Sequence, residues 1–394
     1  MLTPALAATV FLGVGHPAQA IEAPFRIGDH AIIVDAVVNG KPASFMFDSG
    51  YAGFLVVSDQ VKIGPPAGVQ GLRDFVGSFD ATTVRVDSFQ IGALKRTDLN
   101  EEAVQMPAVH YAYTLSYGTH CDGIMGFRAV KDYVTEINFQ NQKFVFHPNS
   151  FDITKKQPNN TTTFLVKMEP RGMNSIHLPT EINGHPVHLA LDTGNAFYAT
   201  THKEVLQRIG LWNPNEKPKY MSQAFVASGP VDSFSFWVNN ATIFTVPVKS
   251  AIFDIIDLPS SSADDDGTVG FGFLKHFNII IDYERRYVWL ENWDGKVFDE
   301  PDAGPGFRLG FIDSERTRIF HVYPSGPADL AGIKAGDRLV QVEGKSTSLL
   351  KPEEIEKLLR GPEGSTCKIV VSSNGVLKRL ELVRKLMVNG TRAP

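Results

Sequence analysis

The 394-residue sequence predicts a mainly β protein in which two copies of one unit precede a small α+β domain. The chain contains 34 glycines and 24 prolines among short apolar runs, a pattern typical of turn-rich β structure. Three short patterns recur at a single offset of 144 residues, which indicates an internal repeat. Residues from 302 onward carry a net charge of +4 and the residues before them carry −9, which favours a separate C-terminal domain.

The first 20 residues have the features of a secretory signal peptide. An apolar stretch from Ala5 to Val14 precedes Ala18-Gln19-Ala20, which fits an A-x-A cleavage site, although no Lys or Arg precedes the stretch. The stretch is too short to cross a membrane as a helix of about 20 residues, and no comparable apolar run follows it. We therefore expect export, with no integral membrane segment in the mature chain.

Three matched segments define the repeat. They are residues 43–50 (ASFMFDSG) with 187–194 (VHLALDTG), residues 122–127 (DGIMGF) with 266–271 (DGTVGF), and residues 138–146 with 282–290. Because three unrelated patterns share one offset, the chain is predicted to contain two copies of one unit, at residues 21–150 and 160–298. Residues 151–159 are the expected linker between them.

Each unit begins with the same series of predicted elements. A strand at residues 31–38 or 175–182 leads into Asn-Gly, the strongest two-residue hairpin signal, and a second strand then runs into an Asp. Each Asp is therefore expected at the end of a buried strand. Later strands are predicted at residues 82–91 and 234–244, and Gly71, Gly77 and Gly229 are expected in the turns of hairpins that precede them.

An apolar strand followed by Asp-Ser-Gly or Asp-Thr-Gly, and then by Asp-Gly-x-x-Gly, occurs twice and resembles the pepsin and retroviral aspartic protease superfamily. The resemblance covers about 270 residues. It implies two fused, pseudo-symmetric β-barrel lobes of the acid-protease type, pepsin-like or retropepsin-like, which share one cleft. It also implies that Asp48 and Asp192 form a catalytic dyad in that cleft.

The resemblance assigns supporting roles to the residues beside the dyad. Ser49 and Thr193 would hydrogen-bond across the lobe interface, and Gly50 and Gly194 would let the backbone approach the carboxylates and donate N–H groups. Residues 124–126 and 268–270 would pack behind the two loops. Three positions depart from the family pattern: Thr268 replaces an apolar residue, and Tyr51 and Asn195 follow the loop glycines where Ala or Ser is more frequent.

Two carboxylates a few ångströms apart cannot both ionise comfortably, so such a pair shares one proton and titrates as a unit. The ionised partner can then deprotonate a bound water that attacks a peptide carbonyl, while the protonated partner stabilises the developing oxyanion. This chemistry needs no cofactor and no metal.

Other chemistries find little support in the sequence. There is no H-E-x-x-H and no G-x-S-x-G, and Asp264-Asp265-Asp266 lacks the spacing of an EF-hand loop and is expected to be a solvated acidic turn. Cys121 and Cys367 are 246 positions apart, which excludes a disulfide scaffold. The net charge of −5 does not favour nucleic acid as a partner.

The C-terminal residues resemble a PDZ domain, most specifically over Ser325-Gly-Pro-Ala-Asp-Leu-Ala-Gly-Ile-Lys-Ala-Gly-Asp337. The predicted domain covers residues 303–388, after a linker at 299–302 and before a tail at 389–394. PDZ domains bind an extended peptide as an added strand and usually capture its C-terminal carboxylate with backbone N–H groups. Leu309-Gly310-Phe311 is the candidate carboxylate loop.

A helix is predicted at residues 352–360, opened by a Pro in its first turn and closed by Gly361. Ile355 and Leu359 lie one turn apart on it, so they could line the peptide groove or belong to the domain core.

These features together predict an exported aspartic endopeptidase, periplasmic or secreted, which looks like the bacterial retropepsin-like proteins that carry a C-terminal PDZ domain. Its partners would be a protein or peptide substrate and a C-terminal peptide ligand of the PDZ domain. The alternative is a scaffold protein with catalytically inactive lobes that acts through the PDZ domain. In a third possibility the PDZ ligand regulates the protease.

Overall fold

The computed structural model describes residues 19–73, 78–106, 121–171, 175–226, 229–256, 266–310 and 317–393. Over these residues the protein is mainly β, with one large sheet in each repeat unit, a sheet shared by both units and small sheets in the C-terminal domain. Within the same ranges, every helix is too short or too polar to span a membrane.

The described strands of the first unit form a hairpin-rich lobe. They are β1 (Ile21–Pro24), β2 (Arg26–Ile27), β3 (Ile32–Val38), β4 (Lys41–Asp48), β5 (Leu55–Ser58), β6 (Pro66–Arg73), β7 (Ser78–Val86), β8 (Phe89–Ile91), β9 (Leu94–Arg96), β10 (Glu101–Met106), β11 (Gly123–Gly126), β12 (Val134–Asn138) and β13 (Lys143–His147). The main sheet of this lobe has the order β6-β7-β10-β5-β11-β4-β3-β8-β9, with β2 also paired to β3.

The second unit repeats this plan. Its described elements are β14 (Thr163–Lys167), β15 (His177–Ile182), β16 (His185–Leu191), β17 (Ala199–His202), α1 (Lys203–Arg208), β18 (Ser222–Val226), β19 (Gly229–Ile243), β20 (Val246–Ile256), β21 (Gly267–Val269), α2 (Phe271–Leu274), β22 (Phe277–Asp282) and β23 (Tyr287–Asn292). Strand β11 pairs in parallel with β4, and β21 pairs in parallel with β16 in the same register. The repeat at 144 residues is therefore a structural repeat, and the two lobes are pseudo-symmetric.

The predicted Asn-Gly hairpins are confirmed in both units. Asn39 and Gly40 join β3 to β4 with φ of 49° and 78°, and Asn183 and Gly184 join β15 to β16 with φ of 52° and 78°. Positive φ at both central residues is the geometry of the type I′ turn, whose twist matches that of the flanking strands. The turn fixes the register, so each second strand delivers its Asp to the same place in its lobe.

A six-stranded sheet joins the two lobes, with the order β1-β13-β12-β22-β23-β14. Strand β12 of the first lobe pairs with β22 of the second, where Thr135 lies opposite Ile281 and Ile137 opposite Ile279. One apolar core runs through both lobes, from Phe47 in β4 to Leu191 in β16. The lobes therefore form one body, which holds the ends of β4 and β16 together.

The C-terminal domain has a separate apolar core. Its described elements are β24 (Phe307–Leu309), β25 (Ile319–Val322), α3 (Pro327–Leu330), β26 (Arg338–Val342), β27 (Lys345–Ser346), α4 (Pro352–Leu359), β28 (Thr366–Ser373), β29 (Val376–Val383) and β30 (Val388–Asn389). Helix α4 begins at Pro352, as the sequence predicts, and ends before Gly361.

Residues 388 to 392 contact the second lobe and the linker that precedes the C-terminal domain. Strand β30 pairs in parallel with β19, so that residues 388 and 389 extend the main sheet of that lobe. The side chain of Asn389 binds the backbone of Tyr220 and Ser235, and Arg392 forms a two-pronged ion pair with Glu300. The residues that the sequence assigns to a terminal tail thus begin in a sheet.

Candidate active site

The ends of β4 and β16 meet between the lobes and bring Asp48 and Asp192 together. Asp48 is the last residue of β4 and lies opposite Gly126 of β11, while the amide of Asp192 donates to the carbonyl oxygen of Val269 at 3.0 Å. Each Asp thus leaves a buried parallel strand pair from the equivalent position of its lobe. The two side-chain carboxyl groups hydrogen-bond each other.

The residues after the two aspartates form a reciprocal set of hydrogen bonds across the lobe interface. The Ser49 amide donates to Thr193 Oγ1 and the Thr193 amide donates to Ser49 Oγ, both at 3.0 Å. The Ser49 hydroxyl donates to the Leu191 carbonyl at 3.0 Å, and the Thr193 hydroxyl donates to the Phe47 carbonyl at 2.9 Å. Ser49 and Thr193 are fully buried, so these four bonds fix the two loops to each other.

Gly50 and Gly194 allow the carboxyl groups to approach the opposite loop. A Cβ atom at Gly50 would lie 2.7 Å from Cγ of Asp192, and one at Gly194 would overlap Cγ of Asp48, so any side chain here would push the loops apart. The Gly50 amide donates to Asp48 Oδ1 at 2.8 Å, and the Gly194 amide donates to Asp192 Oδ1 at 2.9 Å. Each glycine therefore contacts one carboxyl group and orients the other.

The electrostatics of the pair favour a single shared proton. Burial raises the pKa of Asp48 well above its ordinary value, and the charge of Asp192 and the hydrogen bond to it raise this pKa further. Burial also raises the pKa of Asp192, but hydrogen bonds from Asp48, from the Gly194 amide and from Thr268 oppose the rise. The pair is therefore expected to hold one proton between the two carboxyl groups, and the hydrogen bonds from Gly194 and Thr268 favour the charged form of Asp192.

The two lobes differ beside the dyad at the positions that depart from the family pattern. Asn195 Nδ2 donates to Oγ1 of Thr268 at 2.8 Å and to Oγ1 of Thr200 at 2.9 Å, and Thr268 in turn hydrogen-bonds Asp192. The resemblance implies that Thr268 only packs behind the loop, but its hydroxyl also takes part in this network of hydrogen bonds. The available signal was a hydroxyl at the position where the first unit has Ile124.

Tyr51, the first-lobe equivalent of Asn195, occupies an apolar environment instead. It packs against Val56, Ala81 and Val104 in a small cluster that also includes Ile124. Burial, with a smaller contribution from the charge of Asp48, raises the pKa of Tyr51 to about 12, so the phenol stays neutral. The dyad thus has the hydrogen-bonded Asn195 beside it in the second lobe, and Tyr51 in apolar surroundings beside it in the first.

The aspartates of the second motifs have a structural role. Asp122 Oδ2 accepts from the Ser44 amide at 2.8 Å, and Asp266 Oδ2 accepts from the His188 amide at 2.9 Å and from Arg208 at 2.7 Å. Asp266 is only 3% exposed, so the expectation of a solvated acidic turn is wrong for this residue. Asp264 and Asp265 lie outside the described residues.

A β-hairpin stands beside each Asp loop. Strands β6 and β7 pair in the first lobe, and strands β18 and β19 pair in the second. Ala81 of β7 packs near Tyr51, and Val231 of β19 packs near Phe197 of the second loop. Of the predicted turn glycines, Gly71 lies within β6 and Gly229 begins β19, while Gly77 falls outside the described residues.

In the C-terminal domain, the residues predicted to bind a peptide lie in different environments. Leu309 is the last residue of β24 and is 8% exposed. The Gly310 amide donates to the Arg318 carbonyl at 2.9 Å. Phe311 lies outside the described residues. Ile355 and Leu359 are 1% and 3% exposed and belong to the apolar core of the domain. The helix spacing had left open whether they line the peptide groove or belong to this core. Among the described strands, β24 pairs only with β25, so its other edge is open to an added strand.

Comparison with known proteins identifies a PDZ domain, whose family model matches residues 321–372. The carboxy-terminal processing protease CtpA of Bacillus subtilis (strain 168) is 29% identical over 116 residues, which is 29% of this chain and 24% of that protein. This chain therefore matches about a quarter of the length of that curated relative.

Two solved structures are also similar. An aspartic proteinase from Irpex lacteus has a TM-score of 0.43 and 12% identity, over 70% of this chain and 98% of that chain. The photosystem II D1 C-terminal processing protease has a TM-score of 0.21 and 28% identity, over 22% of this chain and 24% of that chain. The family match and the sequence relative describe a PDZ-containing protein that is similar, over part of its length, to a protease.

Proposed function

We propose that this chain is an aspartic endopeptidase of the retropepsin-like kind, with both lobes of the active site in one polypeptide. The observation that supports this most strongly is the pair of hydrogen-bonded carboxyl groups of Asp48 and Asp192, held by the reciprocal bonds of Ser49 and Thr193. If the two aspartates had only structural roles, the fold would not need a fully buried set of hydrogen bonds between the lobes to hold their carboxyl groups face to face.

The proposed mechanism places the shared proton on Asp48. Asp192, the ionised partner, accepts a proton from a water molecule as the water oxygen attacks the peptide carbonyl. Asp48, the protonated partner, donates a hydrogen bond to the oxygen that becomes negative in the tetrahedral intermediate. Transfer of a proton to the leaving nitrogen then breaks the C–N bond and restores a singly protonated pair.

For the PDZ domain we propose binding of peptide C-termini along the open edge of β24, with a protein or peptide substrate in the cleft between the lobes. We also propose that the protein acts outside the cytoplasm, in the periplasm or secreted, because residues 1–20 have the pattern of a signal peptide.

The test is cleavage of casein or a peptide library between about pH 3 and 7, the range suggested by dyads that share a proton. Asp192→Asn is expected to lower kcat by at least about 1,000-fold, because the amide cannot accept the proton of the water. Asp232→Asn removes one exposed charge from the same lobe and is the matched control, expected to cleave like the parent. Equal cleavage by Asp192→Asn and the parent would refute the mechanism, and peptide binding without turnover would favour the inactive scaffold.

A further inference from the structure

The two lobes present different side chains along the same row of their main sheets. In the first lobe, Ile124 lies opposite Val56, and Val56 lies opposite Val104. Directly opposed residues of paired strands point to one face of the sheet. The row begins beside Met46, two residues before Asp48, so it leads away from the dyad on the face that carries the Asp48 side chain.

In the second lobe the equivalent row is polar. Thr268 lies opposite Thr200, and Thr200 lies opposite Asp254, on the strands that correspond to β11, β5 and β10 of the first lobe. The row begins beside Ala190, two residues before Asp192. Strand residues on the opposite face, such as Val269, belong to the main core, so the polar row faces away from that core.

Asp254 is an unusual residue at the end of the polar row. Its side chain is 6% exposed, and among the described residues its Oδ2 atom has no hydrogen-bond partner. Burial raises the pKa of Asp254 to about 7, although the charge of Arg308 and a hydrogen bond from Ser233 oppose the rise. A buried carboxyl oxygen without a partner costs free energy that a cationic hydrogen-bond donor would recover.

The distance from the dyad sets which substrate residue could reach Asp254. The strands of Asp254 and Asp192 are three strand spacings apart, which is about 14 Å at roughly 4.8 Å per spacing. A lysine side chain spans about 6 Å, and an extended substrate advances about 3.3 Å per residue. A basic side chain within three residues of the scissile bond could therefore bring its charge to Asp254.

We propose that Asp254, at the end of the polar row, is a subsite of the cleft that accepts a basic substrate side chain within three residues of the scissile bond, whereas the equivalent row of the first lobe is apolar and packs against Tyr51. This inference rests on the proposed function, since it assigns the substrate class of the same cleft. It makes the enzyme selective for peptides that carry a basic side chain on one side of the bond.

The experiment uses decapeptides with an apolar cleavage site, in which lysine is moved through the three positions on each side of the scissile bond. Norleucine, which has a side chain of the same four carbons without the ammonium group, replaces lysine in a second set. Cleavage is measured with the parent, and binding to Asp192→Asn is measured by fluorescence anisotropy, so that the binding readout does not depend on turnover. Lysine is expected to be preferred over norleucine by about 10-fold, on one side of the bond only.

Asp254→Asn and Asp254→Val, the latter carrying the residue found at position 104, are expected to abolish the lysine preference. The asparagine variant keeps the shape of the site and covers the case in which the valine variant does not fold. Asp232→Asn is the matched control for loss of an exposed acid from the same lobe and is expected to keep the preference.

The outcomes separate this inference from the proposed function. Equal binding of lysine and norleucine peptides, or a lysine preference that survives in Asp254→Asn, would overturn the subsite. An absence of cleavage together with tighter binding of one lysine peptide would support the subsite and refute the endopeptidase. An absence of both cleavage and binding would overturn both.

Discussion

Thr268 makes the dyad chemically asymmetric, although the two aspartates occupy equivalent positions. Its hydroxyl bonds Asp192 and is itself held by Asn195, whereas the first lobe has Ile124 at the position equivalent to Thr268 and Tyr51, in apolar surroundings, at the position equivalent to Asn195. A hydrogen bond to a carboxylate favours its charged form. Thr268 and Asn195 therefore favour the charged form of Asp192, which is the base in the proposed mechanism.

Replacing Thr268 with Val is expected to move the acid limb of the pH–activity profile upward by about one pH unit. The hydroxyl lowers the pKa of Asp192, so its loss raises that pKa, and Asp192 then becomes ionised only at higher pH. The measurement is kcat/KM of the parent and variant from about pH 3 to 7. Thr268→Ser keeps the hydroxyl and should keep the parent profile. An acid limb at the same pH in the Val variant would contradict the assignment.

At the scale of elements, the two Asp loops and the sheet shared by the lobes together hold the lobes in one arrangement. Strands β4 and β16 end in loops whose Ser49 and Thr193 bond each other, and the shared sheet through β12 and β22 keeps the lobes from separating. In this clamp the Ser49 hydroxyl accepts a hydrogen bond from the Thr193 amide and donates one to the Leu191 carbonyl, so two backbone groups depend on it.

Ser49→Ala is expected to lower the free energy of unfolding by about 2–4 kcal/mol, because it leaves those two buried backbone groups without partners. Urea denaturation of parent and variant measures the change. Thr193→Ser, which keeps its hydroxyl, is the comparison and should lose clearly less. A change below about 0.5 kcal/mol in Ser49→Ala, typical of a surface substitution, would show that the clamp does not stabilise the fold.

The sequence predicted elements whose signals are local and missed those that depend on distant partners. The Asn-Gly turns at residues 39–40 and 183–184 specify their hairpins within about 20 residues, and the structure confirms both. The pairing of β12 with β22 joins residues about 144 apart and leaves no mark in either segment. The docking of β30 on β19 and the contact of Thr268 with Asp192 are likewise invisible to periodicity.

At the scale of the whole molecule, the PDZ-containing domain contacts one of the two hairpins beside the cleft. Arg308, in the strand with the open edge, donates to the Ser222 hydroxyl at 3.3 Å and to the Gln223 carbonyl at 2.9 Å, and the His321 ring donates to the Met221 carbonyl at 2.9 Å. These contacts hold the start of β18. A peptide bound along β24 would therefore lie next to the residue that connects the domain to this hairpin.

A C-terminal peptide that binds the PDZ domain is expected to change kcat/KM by about 5-fold or more, because it acts on β24 and thus on the Arg308 contacts with β18. Arg308→Ala should remove this effect while the domain still binds the peptide, since the strand edge that pairs with the peptide is backbone. Arg379→Ala, which removes an exposed charge on β29, is the matched control and should keep the effect. Peptide binding is measured by calorimetry and turnover with a fluorogenic substrate. If the ligand still changes turnover in Arg308→Ala, the coupling runs by another route, and contact of the domain with β18 is only structural.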